Sequence, residues 1–494
     1  MLFNSLSFAL FFPILFLLYW AIPAKFRYLV LLGASYLFYL GFGVRILLLL
    51  VVVSAMTYIA GLLVEPGGIG ESGEPLKFVK NDSARVRRVV LFLSATGVTL
   101  LLAGFKYGTV IWKVLGEWSS KLGSYSISAY PAGAVEKIII PAGLSFYTFK
   151  ALSYVVDVYR GKYRAERNPA YLALYVAFFA DIISGPINRG DVLLPQFRNP
   201  QPFDERKAVY GLRLMLLGFI KKLLLADMLA VYVNKVFGQV EAYAGLTLLA
   251  VAFMYTVEIY CDFSGYSDIA IGIAALLGIT SMENFKGPYF ARNVKEFWDR
   301  WHISLSSWLR DYIYFPLGGS RRKTIRTYGN LMITFLISGL WHGASLTFFI
   351  WGAIHGLYQV LYRIGKSLNK KEKDLLPAWA GRILTFLLVG FAWIFFRAES
   401  LRDAGYVICH MFDSFSLYWV KRDLGITRLD LVVILLLLLL LAVYDWFSRE
   451  HDLIKKMDQI CRPLRWGIYL VAVVGLVVLK LHGGTSQSFI YFNF

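Results

Sequence analysis

The residues best placed to do chemistry are two histidines in a chain that otherwise favours leucine. His342 lies in Ser338-Gly-Leu-Trp-His-Gly-Ala-Ser345, between an apolar run ending near Leu340 and another starting near Leu346. An ionisable side chain inside a membrane costs about 2.5 kcal/mol or more, so it ordinarily marks a pathway or a site. A neutral imidazole, with an ordinary pKa of about 6.5, can take a proton from a hydroxyl and return it, a role worth roughly 10²–10⁴-fold in rate. Gly339 and Gly343, four apart, let a second backbone approach closely. A hydrogen-bonded core histidine and a catalytic base both fit His342 on spacing alone.

The second histidine sits in Phe285–Thr327, a segment too charged to span. Asn293 followed by Glu296 resembles a capping box, which starts a helix at Val294. On that helix Phe297, Trp301, Leu305 and Trp308 share one face, and Asp299, His302 and Ser306 a neighbouring one. Asp299, three residues before His302, is predicted to touch and orient it. An interfacial amphipathic helix and a helix dipping into the bilayer both fit. Upstream, Glu258 and Asp262 lie four apart in apolar surroundings. They are read as neutralising arginines of the 292–310 helix or as lining a polar tunnel, with Asp268 opening a new helix after a break. His355 is a candidate supporting residue; His410, His451 and His482 fall at loop edges. The chain carries no P-loop, GxSxG, HExxH or GxGxxG before a helix, so nothing supports ATP hydrolysis, soluble-fold serine hydrolysis or zinc proteolysis. Three scattered cysteines with no CxxC indicate neither a disulfide framework nor a metal site.

Composition says what must hold these residues. Of 494 residues, 58% are apolar and 17% charged, against about 45–50% and about 25% in soluble domains. Apolar segments near 1–22, 27–42, 45–64, 87–110, 137–156, 170–187, 209–233, 245–260, 267–280, 326–341, 344–362, 381–397, 429–447 and 466–482 predict an all-α polytopic membrane protein. Some are short enough to be re-entrant, so about twelve are predicted to cross. Residues 1–22 read as the first span rather than a cleavable signal peptide. Lys25 and Arg27 place the loop after it in the cytoplasm, and Arg449, Lys455, Lys456, Arg462 and Arg465 do the same before the last span. The tail 483–494 is thereby predicted to emerge outside. The net charge of +19 is spread over short loops beside spans, which suits anionic lipid rather than nucleic acid. Glu65–Ser83 and Asn188–Lys207 are predicted loops, and the breaks at Pro141-Ala-Gly143 and Ser184-Gly-Pro186 hint at a cavity.

FWDRWHISLSSWLRDYIYFPLGGSR, WHGASLTFFIWGAIHG and YCDFSGYSDIAIG together resemble the membrane-bound O-acyltransferase (MBOAT) superfamily, in its branch of bacterial alginate and cell-surface polysaccharide O-acetyltransferases. The opening FNSLSFALFFPILFLLYW and the closing FIYFNF fit that branch as well. The resemblance implies one membrane-embedded domain over 1–494, with 285–345 as the catalytic core around a central funnel. It implies His342 as the catalytic histidine and His302 as a second one facing the funnel. Asp299, Asp262 and Trp341 are the supporting residues. It further implies acetyl-CoA as the cytoplasmic donor, with no permanently bound cofactor. The acetyl group passes to an extracytoplasmic SGNH-type partner or directly to a polysaccharide hydroxyl, at the bacterial inner membrane. Phe489, Tyr491 and Phe492 are similar to an F-x-Y-F motif of the teichoic-acid D-alanylation machinery. On that likeness Tyr491 is an acyl carrier and the phenylalanines dock a partner; an aromatic interfacial anchor is the other reading. His302 or a backbone donor is expected to steady the oxyanion. A transporter or flippase, and an acyltransferase acting on a lipid or protein, are the alternatives. No internal repeat supports the transporter.

Overall fold

The structure, a computed structural model, describes residues 1–66, 83–121, 141, 143–321, 323–369, 376–483, 487, 489 and 490, with the backbone alone at 109, 110, 113–121 and 481–483. Most of the predicted loop Glu65–Ser83, and Tyr491 and Phe492, lie outside the described residues. Among the described residues every regular element is helical. Six helices are long and apolar enough to cross a membrane: Val44–Val64, Ala84–Gly108, Leu246–Leu276, Ala378–Arg397, Arg428–Ser448 and Arg462–Lys480. The fold divides into two compact units, Met1–Ala208 with Ala274–Ser281, and Val209–Ile273 with Met282–Phe494.

The first unit holds α1 (Leu6–Ala21), α2 (Arg27–Leu40), α3 (Val44–Val64), α4 (Ala84–Lys121), α5 (Leu144–Tyr159), α6 (Pro169–Ala177) and α7 (Gly190–Arg198). Of its two breaks, Ser184-Gly-Pro186 is enclosed by protein, and Ala142 of the other lies outside the described residues. Residues 177–190 are buried throughout. Gly143, at φ +75°, opens α5 with the Ile182 carbonyl where a Cβ would stand. Lys150 pairs with Asp181 at 3.5 Å, and Asn188 donates to the same carboxylate at 2.9 Å. The interruption at Ser184-Gly-Pro186 is thus buried in protein, one of the situations in which such backbone persists at membrane depth.

The second unit begins at Val209 within α8 (Glu205–Phe219), which runs through a π-helical turn, Ile220–Ala226, into α9 (Asp227–Phe237). Beside them α10 (Leu246–Leu276) is one continuous helix, where the sequence suggested a break between two. Gly265 and Gly272 explain the difference. A Cβ on either would strike the Gly218 or Gly211 carbonyl of α8, so these glycines serve close helix approach instead of ending a helix. Asp268 therefore caps nothing; it takes Lys221 Nζ at 2.8 Å. Beyond α10 come α11 (Val294–Arg300), α12 (Ile303–Leu309), α13 (Thr324–His342), α14 (Leu346–Leu368), α15 (Ala378–Arg397), α16 (Leu401–His410), α17 (Leu417–Leu424), α18 (Arg428–Ser448), α19 (Leu453–Lys456) and α20 (Arg462–Gly483). At the α13–α14 crossing Gly339 lies against the Phe348 carbonyl and Gly352, and Gly343 against the Phe348 ring.

Candidate functional site

The helix at Val294 begins as its sequence predicts, with Asn293 Oδ1 accepting the Glu296 N–H at 2.9 Å. It does not continue through His302. The backbone there turns to φ +42°, ψ +55°, splitting the expected single helix into α11 and α12. His302 is the one non-glycine residue with positive φ among the described residues. Such a conformation costs about 1–3 kcal/mol and persists only where its surroundings dictate it. Here they are supplied by Asn284. Its carbonyl takes the Ile303 N–H at 2.9 Å, and its Oδ1 meets His302 Nδ1 at 3.0 Å, the Ser304 N–H at 3.2 Å and the Ser304 hydroxyl at 2.9 Å.

That network also fixes the imidazole. Asn284 Nδ2 donates to Ser267 Oγ at 2.9 Å, so the amide oxygen, not its nitrogen, faces His302. The proton must then sit on Nδ1, leaving Nε2 as the basic nitrogen. Burial pushes the His302 pKa down to about 3, so the ring is neutral at physiological pH. A neutral ring with its proton on Nδ1 cannot donate from Nε2. The expectation that His302 steadies an oxyanion is corrected accordingly: its Nε2 accepts. Asp299 is corrected as well. The turn at His302 destroys the three-residue register, and Asp299 points away, 60% exposed and paired with Lys295 at 2.6 Å.

The second histidine ends α13 in an aromatic box. His342 is buried, edge-on to Trp351 and Phe396 at 5.0 Å each. Trp341 joins the two centres, its ring 4.8 Å from His342 and 6.3 Å from His302. Phe263 closes on His302 at 4.6 Å. His355 stands behind Trp351 and accepts from Trp298 Nε1 at 3.3 Å, a support for the box. Among the described residues no group of acids, cysteines and histidines could hold a metal ion. A cavity of about 460 Å³ opens beside the box, its wall including Glu258, Arg397, Asn234, Phe348 and Phe396. Glu258 thus takes the cavity-lining role of its two readings.

Asp262 takes neither. It pairs with Lys222 at 2.6 Å, both side chains 1% exposed, and Lys222 also reaches Asp227 at 2.9 Å. The same carboxylate accepts the Ile490 N–H at 2.7 Å, and Lys222 donates to the Gln487 carbonyl at 3.2 Å. The end of the chain is therefore latched to a buried ion cluster. Phe489 is 0% exposed and packs 4.4 Å from Tyr266 and 6.1 Å from Phe263. Its predicted role in docking a partner is corrected: the ring is spent anchoring the tail.

Sequence reasoning missed two residues. Asn284 lies 18 positions before His302 in a loop without periodicity, and no spacing points to it. Lys222 was legible, because Lys221-Lys222 interrupts an apolar run, and the rule that flagged Asp262 applies to it equally.

Residues 164–398 match the family model "MBOAT, membrane-bound O-acyltransferase family". A protein named "Probable alginate O-acetylase AlgI" from Azotobacter vinelandii is 38% identical over 449 residues, covering 90% of this chain and 85% of that one. Its namesake from Pseudomonas aeruginosa is 39% identical over 406 residues, 82% and 73% of the two chains. A peptidoglycan O-acetyltransferase from Helicobacter pylori is 34% identical over 311 residues, 56% and 59% of the two.

Proposed function

We propose that this chain, which belongs to the membrane-bound O-acyltransferase family, moves acetyl groups from a cytoplasmic thioester to an extracytoplasmic polysaccharide. It is an integral membrane protein and an enzyme, a membrane O-acetyltransferase. The observation that carries the finer reading is the pairing of His342 and His302 across Trp341 inside the matched region. The donor is acetyl-CoA. The thioester is already activated, so one base beside a hydroxyl in a dry aromatic site suffices. His342 takes the acceptor hydroxyl proton; the hydroxyl oxygen forms the new bond to the acetyl carbon. The carbon–sulfur bond breaks, and the proton passes to the departing thiolate. His302 Nε2 orients the reactants by accepting from an incoming O–H or N–H.

The substrate polymer is alginate-like or another cell-surface glycan, reached directly or through an SGNH-type acetyltransferase partner, at the bacterial inner membrane. Loop charges support about twelve crossings with the tail outside. Tyr491, the residue that follows the latched Ile490 in sequence, is the acyl carrier of this reading. The test uses the whole chain in proteoliposomes with acetyl-CoA enclosed and alginate outside, with and without a soluble SGNH acetyltransferase. Acetyl ester on the polymer in step with release of free CoA is the expected result. Polymer or lipid flux without CoA release would instead mark a transporter.

A further inference from the structure

Two arginines of the second unit are fixed in place with no carboxylate partner among the described residues. Arg382 lies near the start of α15 and Arg449 just after the end of α18, at the level that loop charges assign to the cytoplasm. The Arg382 guanidinium carbon stands 5.0 Å from the Trp446 ring centroid, and that of Arg449 stands 4.0 Å from it. Arg449 is also 5.4 Å from the Phe290 ring, which meets Trp446 edge-on at 5.5 Å. Both cations therefore share one aromatic platform, near enough to act on one anion.

Local structure holds them there. Gly287, at φ +53°, lets its loop close on the stem of Arg449, since a Cβ would stand 2.9 Å from Arg449 Cγ and 2.9 Å from the Asp445 carbonyl. Arg449 Nε donates to the Trp446 carbonyl at 3.1 Å, and Arg382 Nε is packed away. The terminal nitrogens of both meet no acceptor among the described residues, and both side chains keep part of their surface exposed. The nearby acids are engaged or apart. Glu296 takes Arg292 at 3.0 Å and Arg300 at 2.8 Å, Asp445 takes the Tyr260 hydroxyl at 3.0 Å, and Glu450 is exposed. Arg449 is held below the ordinary arginine pKa, first by burial and then by the like charges of Arg382 and Arg300. An anion at the platform relieves that repulsion.

The surface beside the platform selects the kind of anion. Trp446 is 42% exposed, and the two helices lead away from it through exposed apolar residues, Ile383 and Leu387 on α15 and Leu440 and Val443 on α18. A soluble phosphate satisfies the arginines alone, whereas a phosphate that carries acyl chains satisfies the apolar strips as well. Planar guanidinium forks match phosphate oxygens in pairs, and basic residues at this depth attract anionic headgroups. We infer that Arg382 and Arg449, set around Trp446, bind the phosphate of an anionic glycerophospholipid in the cytoplasmic leaflet, its chains lying along α15 and α18. This lipid site is independent of which acceptor receives the acetyl group.

The experiment titrates phosphatidylglycerol or phosphatidylcholine into the full chain in neutral detergent and counts bound lipid by native mass spectrometry. Wild type is compared with Arg382→Gln, Arg449→Gln, the double variant, and Arg85→Gln with Arg88→Gln, an exposed basic pair elsewhere. Loss of a charge-assisted hydrogen bond predicts phosphatidylglycerol binding about 10- to 100-fold weaker in either single variant, and weaker still in the double. Wild type should prefer phosphatidylglycerol to phosphatidylcholine by about tenfold or more. Equal affinity for the two lipids marks a plain aromatic anchor and overturns the inference. An equal loss in the Arg85 and Arg88 variant marks diffuse charge attraction and overturns it too. Displacement of phosphatidylglycerol by acetyl-CoA or inorganic phosphate at matched concentration assigns the platform to a soluble phosphate, and the lipid assignment falls. Should the double variant aggregate, Arg382→Gln decides, because that side chain donates to no acceptor among the described residues. Unchanged phosphatidylglycerol affinity in folded Arg382→Gln rejects the site.

Discussion

Asn284→Ala is the sharpest perturbation of the site that leaves both histidines in place. Asn284 is 1% exposed, and its side chain serves His302 Nδ1, the Ser304 N–H, the Ser304 hydroxyl and Ser267 Oγ. Truncation orphans these groups in a dry interior, at about 1–3 kcal/mol for each that finds no other partner. Allowing the hydroxyls to rotate to new acceptors, about 2–5 kcal/mol of local stability is lost. The left-handed turn at His302 loses its clamp at the same time, and a displacement near 1 Å at a reacting group costs about 10²-fold in rate. The assay is acetyl transfer in proteoliposomes, normalised to protein that elutes as a monodisperse peak, beside thermal unfolding in detergent. Asp299→Asn is the control. That carboxylate is exposed and, among the described residues, paired with Lys295 alone, so its stability change lies within about 0.5 kcal/mol and its rate within about twofold. Wild-type turnover in Asn284→Ala would refute the clamp, and so would an Asp299→Asn loss of equal size.

The remaining expectations concern protons and the tail. His302 is held near pKa 3 in the fold against about 6.5 unfolded, so the unfolded chain binds more protons between those values. Its contribution to stability is complete above about pH 6.5 and falls as pH drops toward 3. Thermal midpoints in detergent should decline over that window, and His302→Gln should flatten the decline; an unchanged slope contradicts a buried neutral ring. Asp262→Asn leaves Lys222 short of one buried partner, a loss of about 3–5 kcal/mol. Phe489→Ala empties a filled pocket for a comparable 3–5 kcal/mol or so. Both should expose the C-terminal segment to protease and cut acetyl transfer together, whereas a protected tail in either variant rejects the latch.

The membrane class was legible because apolar composition acts over the whole chain, and the WHG segment because a histidine in apolar surroundings is costly wherever it lies. Trp341 followed as its neighbour. What depended on backbone path was not legible. The register that placed Asp299 on His302 assumed an unbroken helix, and the turn that voids it is set by Asn284, a residue distant in sequence. The run Tyr260–Asp268 looked broken because glycine and aspartate usually punctuate helices. In the fold, Gly265 meets another backbone and Asp268 meets Lys221. Phe489 resembled a docking residue because an aromatic tail reads alike whether it faces a partner or its own core.

The central claim, that His342 removes the acceptor proton, is tested most directly by His342→Ala in proteoliposomes loaded with acetyl-CoA. The account predicts normal insertion, an intact aromatic box by intrinsic fluorescence, and transfer reduced by roughly 10²–10⁴-fold. Transfer at the wild-type rate from that variant would contradict it.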